Sequence, residues 1–166
     1  MPNLRVTLKE TFQTGPMTLT TDDPKHLKAD WPFYWISQLN SAYAEALERR
    51  IRHIGVDIPR WRALMSLYED QHLSVSAIAE YSAQKLNTTT KVVQRMIKDG
   101  LVTTRVRPTD GRVTEVCLTE KGDSLRKQAL TEARAIYDQA FAGIDPARVR
   151  EMNKLMSEVH EAMKRL

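Results

Sequence analysis

The sequence predicts a mostly helical domain that carries one small β-hairpin, and three observations predict it. Apolar residues recur at spacings of three and four through most of residues 31–166, the period of an amphipathic helix. That period breaks over residues 101–118, where two β-branched runs flank a turn. Positive charge gathers on the same unit. Between positions 84 and 112 stand seven Lys or Arg (Lys85, Lys91, Arg95, Lys98, Arg105, Arg107, Arg112) against Asp99 and Asp110, in a chain whose net charge is only +4. The rest of the chain is therefore close to neutral. A surface that docks on a polyanion needs this segregation.

The totals bound the problem. A chain of 166 residues fits one domain and can bury a real core. Hydrophobic residues at 42% and charged residues at 28% are ordinary for a soluble globular protein. No run approaches the ~20 apolar residues of a membrane span. The first fifteen residues lack the apolar segment of a secretory signal, so a cytoplasmic protein is expected. Cys117 is the single cysteine and cannot form an internal disulfide, which agrees with a reducing compartment. His26, His53, His72 and His160 are scattered, without metal-ligand spacing, and no metal or other cofactor is expected.

Residues 1–30 are rich in Thr, Lys and Asp and are broken by Pro2, Gly15, Pro16 and Pro24. Leu4, Val6 and Leu8 alternate as in a short strand, but the composition favours a flexible arm. From Trp31 the pattern is helical: Trp35, Leu39, Tyr43, Leu47, Ile51 and Ile54 recur at three and four until Gly55 stops them. Pro59 opens a second helix bearing Trp61, Leu64, Met65 and Tyr68, and Ser74 caps a short third one with Val75, Ile78 and Ala79. A fourth helix, about 87–99, sets an apolar face of Val93, Met96 and Ile97 against Thr88, Lys91, Arg95 and Lys98. Gly100 then takes the left-handed position that ends it.

Two strands follow, 101–107 and 113–118, with Pro108, Thr109, Asp110 and Gly111 supplying turn chemistry between them. Thr119 caps a long helix holding Leu125, Ala129, Ala133, Ile136 and Ala140. Gly143, Asp145 and Pro146 form a stop followed by a start. In the last helix Val149, Met152, Met156, Val159, Met163 and Leu166 make a narrow heptad seam. Such a stripe must bury against something, and a second copy of the chain is the first candidate.

Two helices joined by a tight turn, the second basic, followed by a hairpin with a basic tip, describe a winged helix-turn-helix. The major groove, ~12 Å wide, admits one α-helix, while a two-stranded wing reaches the neighbouring minor groove or phosphates. The candidate DNA contacts are Thr88, Thr89, Thr90, Lys91, Gln94, Arg95 and Lys98 on the helix. On the wing they are Arg105, Arg107, Asp110 and Arg112, with an Asp110–Arg112 pair at the tip.

In this region the chain resembles the MarR family of bacterial transcriptional regulators. The family pattern G-L-V-x-R, then D-P-x-D-R-R, then V-x-L-T-x-x-G-x-x-L is similar to Gly100-Leu101-Val102-Thr103-Thr104, then Arg107-Pro108-Thr109-Asp110-Gly111-Arg112, then Val116-Cys117-Leu118-Thr119-Glu120-Lys121-Gly122 and Leu125. Two positions depart from it: Thr104 stands where the family has Arg, with Arg105 one place later, and Arg107 replaces the first acid of the turn. The resemblance covers about residues 31–166. It implies a DNA-binding lobe at about 57–120 and dimerisation helices at about 31–55 and 120–166. It also implies a homodimer on a pseudo-palindromic operator of double-stranded DNA, acting as a repressor of a catabolic or efflux operon and released by a small effector.

For that effector the sequence offers Trp31, Phe33, Tyr34, Trp35 and Trp61, with Arg60 and Arg62 flanking Trp61. Rings for stacking beside a guanidinium suit an aromatic carboxylate, such as a phenolic or auxin-like acid, and Trp35, Trp61 and Arg62 are the candidate contacts. The same residues would equally make an interface core with Arg lying over Trp. Two alternatives stand beside the regulator: redox sensing through Cys117, and a protein-interaction module that uses the C-terminal seam without DNA. No phosphate-cradling glycine loop, HExxH helix or nucleophile elbow is present, so an enzyme is not expected.

Overall fold

The element order is α1 (Pro32–Ile51), a 3-10 turn (Arg52–Ile54), α2 (Ile58–Glu69), β1 (His72–Ser74), α3 (Val75–Tyr81), α4 (Leu86–Lys98), β2 (Val102–Arg107), β3 (Asp110–Leu118), α5 (Glu120–Ala140) and α6 (Pro146–Met163). This computed structural model describes residue 28 and residues 30–69 and 71–166. Apart from Lys28 and Asp30, the arm expected over 1–30, with its alternating Leu4, Val6 and Leu8, lies outside the described residues. None of the described helices is long and apolar enough to cross a membrane.

Two compact units divide the chain, residues 1–40 and 41–166, and the boundary falls within α1. In the first, Trp31 and Phe33 pack with ring centroids 6.0 Å apart, and Tyr34 meets Trp35 edge-on at 5.2 Å. In the second, Leu47, Ile51, Val56, Leu64, Leu67, Ile78, Val92, Met96, Leu101 and Val116 form a continuous core reached by Ala129 and Ala133 of α5. Helices α1 to α5 all contribute to this core.

Local chemistry explains the boundaries. Gly55, at φ +74°, closes the 3-10 turn after α1, as its position in the sequence predicts. The Ser74 hydroxyl accepts from the Ala77 N–H and starts α3. Asp145 accepts from the Ala147 N–H ahead of Pro146 and starts α6. Between α3 and α4 the chain turns through Ala83 at φ +52°, and Gln84 Nε2 donates to the Pro59 carbonyl, fastening the turn to α2.

The sheet holds a strand that the periodicity does not predict. β1 pairs antiparallel with β3, Leu73 opposite Val116, and gives the order β1-β3-β2. β3 also starts earlier than expected: Asp110 and Gly111 belong to it, and the turn is confined to Pro108 and Thr109. The wing therefore grows from a three-stranded sheet whose third strand runs into the N-cap of α3.

Candidate nucleic-acid interface

α4 separates its two faces sharply. Thr89, Val92, Val93 and Met96 are buried, at spacings of three and four, while Thr88, Lys91, Gln94, Arg95 and Lys98 are exposed on the other side. Two expectations need correction. Ile97 lies at the surface, and its place on the apolar face is taken by Val92. Thr89 is fully buried, and its hydroxyl donates to the Lys85 carbonyl, so it packs and cannot reach a base edge. Thr90, half-buried, donates to the Leu86 carbonyl. Lys91 and Lys98 make no ion pair among the described residues, and Arg95 keeps only a loose one, 3.6 Å from Asp57. The N-terminus of α4 has no side-chain cap, which leaves its first N–H groups and the positive end of the helix dipole free to meet an anion.

The wing presents three guanidiniums in two ways. Arg105 and Arg107 each donate through Nε to a different oxygen of Glu115, both at 2.8 Å, and these two guanidiniums, Arg107 first, hold the Glu115 carboxyl below the usual carboxylate range. Arg112, at the tip, makes no ion pair among the described residues. The expected Asp110–Arg112 side-chain pair is replaced by a different bond: Asp110 Oδ1 accepts from the Arg112 backbone N–H at 3.0 Å. Asp110 thus shapes the tip, and the Arg112 guanidinium stays available. An acid would be repelled by phosphate, so shaping is its physical role in such an interface.

A set of junction contacts fixes the wing and α4 as one body. The Thr119 hydroxyl donates to the Gly100 carbonyl at 2.7 Å and accepts from the Gly122 N–H, capping α5 and holding the end of α4 at once. Lys121 donates to the Asp99 carbonyl, and Arg60 of α2 binds the Asp99 carboxylate at 2.7 Å while also donating to the Gly55 carbonyl. At Gly122 an added Cβ would collide with the Leu101 backbone carbonyl, so only glycine allows this approach. Further along α5, buried Arg126 binds Asp123 and lies 4.1 Å over the Tyr68 ring of α2.

The candidate effector residues divide. Trp61 is only 7% exposed and belongs to the core; burial pushes the pKa of the neighbouring Tyr43 hydroxyl up, and the Trp61 indole works against that shift. Arg62, half-buried, lies close enough to pull that pKa down. Tyr43 therefore joins Trp61 and Arg62 in one polar cluster, a role its place in the helical stripe did not reveal. Trp35 is 50% exposed and belongs to the first unit. In the second wing strand the Cys117 thiol is half-buried, and burial pushes its pKa up, which disfavours the thiolate.

Comparison with known proteins agrees with this geometry. The family model described as the MarR family matches residues 54–113, the stretch from the end of the 3-10 turn through the wing tip. The HTH-type transcriptional repressor IacR of Pseudomonas putida is 37% identical over 139 residues, covering 84% of this chain and 83% of that protein. A MarR family transcriptional regulator from Silicibacter pomeroyi superposes with a TM-score of 0.80 over 90% of this chain and 99% of that one, at 19% identity. CouR from Rhodococcus jostii, bound to p-coumaroyl-CoA, superposes at 0.73 over 79% and 92% of the two chains, at 20% identity. The chain belongs to the MarR family of DNA-binding transcriptional regulators.

Proposed function

We propose that the chain works as a homodimeric repressor that leaves its operator when an aromatic acid binds. Members of the family bind DNA, act as dimers and bind small molecules. The observation that carries the DNA half is the outward face of α4, where Lys91, Arg95 and Lys98 stand beside a wing whose Arg112 makes no ion pair among the described residues, all on one braced unit. The dimer half is supported by α6, which leaves Met152, Leu155, Met156, Val159 and Met163 exposed in the single chain. Two such lobes would read half-sites about one helical turn apart, with α4 in the major groove. The 37% identical relative is a repressor by name, which supports that sign of regulation.

For the effector, Arg62 beside Tyr43 and Trp61 offers a cation and a hydroxyl over an aromatic floor, which suits an aromatic carboxylate. An acid bound there would favour a lobe separation that no longer fits the operator, a population shift of a few kcal/mol. Thermal melts of the full chain with p-coumarate, salicylate and indole-3-acetate test this. At a hundredfold excess over Kd a binding acid contributes about 2.7 kcal/mol, a rise of roughly 5–10 °C for a chain of this size. Arg62→Ala should abolish the rise. No rise with any of the three acids, or an equal rise in Arg62→Ala, contradicts the proposal.

A further inference from the structure

Glu115 is a charged residue at only 5% exposure, and it follows five residues of the same wing strand, Asp110 to Thr114, none of which is buried. It stands opposite Arg105 in the β2–β3 register, and β alternation puts Arg107 on the same face of β2. An irregularity between Val106 and Arg107 then sets Arg107 opposite Asp110. Arg107 nevertheless binds Glu115, while Asp110 binds the Arg112 N–H. One carboxylate thus serves two like-charged neighbours, and each uses only its Nε to reach it. A guanidinium has five donors, so both terminal nitrogens of Arg105 and of Arg107 remain able to bind an acceptor end-on. Both side chains keep more than a third of their surface in solvent, at 43% and 37%.

From this geometry we infer that Glu115 is a positioning residue for DNA binding: it holds Arg105 and Arg107 side by side on the wing with their bidentate edges outward, set to grip phosphate oxygens of one strand. Along a strand the two residues are about 6.6 Å apart, so neighbouring phosphates can be taken together. Two long side chains already fixed lose less freedom on binding than two free ones. The inference rests on the wing's being part of the DNA interface, and it makes a prediction opposite in sign to simple electrostatics. Removing a negative charge from a DNA-binding face should tighten binding. Removing the one that aims two arginines should weaken it.

The test is fluorescence anisotropy of the full chain on a labelled 40-base-pair duplex of mixed sequence at low salt. Glu115→Gln should bind about fivefold or more weakly despite its added positive charge. Glu115→Asp, which keeps the charge but is too short to bridge both arginines, should also weaken binding, and it reads the same geometry if the Gln variant fails to fold. In an Arg105→Ala/Arg107→Ala background, Glu115→Gln should cause no further loss, a result that a general defect of the wing would not give. Unchanged or tighter binding by Glu115→Gln, or a loss that persists in the arginine-free background, overturns the inference. If the double arginine variant itself binds like wild type, the wing reading fails instead.

Discussion

α4 and α6 are both amphipathic helices with apolar residues at spacings of three and four, yet they end in opposite states. α4 buries Thr89, Val92, Val93 and Met96 within its own chain and turns cations to solvent. α6 buries Val149 alone and leaves a stripe of Met, Leu and Val uncovered. The first helix has finished its packing and has chemistry to spare for a polyanion; the second has chemistry still to satisfy. The contrast teaches that hydrophobic period reports a face and not what covers it. For α4 the cover comes from α2 and α3; for α6 a second copy is the proposed cover.

The α4 side of the contrast can be broken at Gly122. Its Cβ position is occupied by the Leu101 carbonyl, a backbone group that cannot swing aside. Gly122→Ala should therefore cost at least about 3 kcal/mol, more than ordinary overpacking, and lower the melting temperature by about 6 °C or more. A thermal melt within 1–2 °C of wild type would show that the α4–wing–α5 junction is not as tightly braced as described.

The α6 side is broken by putting charge into the seam. Met156→Glu with Val159→Glu should convert the dimer to a monomer in light scattering coupled to size exclusion. Each lost apolar burial is worth roughly 1.5–3 kcal/mol, so the dimer should weaken by more than about a hundredfold. The monomer's melting should change little, because both side chains are exposed in the single chain. A variant that still elutes as wild type would assign the seam some other partner.

What was legible in the sequence follows the same physics. The helices, their glycine stops and their Ser74, Thr119 and Asp145 caps could be read because each has a local cause. β1 could not, since three residues carry no period and its pairing with β3 spans more than forty positions. Thr89 reads as a DNA contact in the sequence because a Thr hydroxyl is polar, yet donation to the carbonyl four residues earlier satisfies it and lets it be buried at little cost. The signal was present: Thr89 keeps step with Val92, Val93 and Met96. Glu115 and Tyr43 carry no such signal, because their partners, Arg105 with Arg107 and Trp61 with Arg62, are brought to them only by folding.

The exposed face of α4 combines the smallest expected change in stability with a direct readout of DNA docking. Lys91→Ala/Arg95→Ala/Lys98→Ala touches no buried residue, so folding should be unaffected. The affinity of the full chain for a 40-base-pair duplex should be followed from low to moderate potassium chloride. For wild type, log K should fall steeply with log salt, and in the triple variant the slope should be shallower by about 0.9 for each phosphate contact removed. A triple variant with wild-type affinity and slope would show that α4 is not the element that docks on DNA.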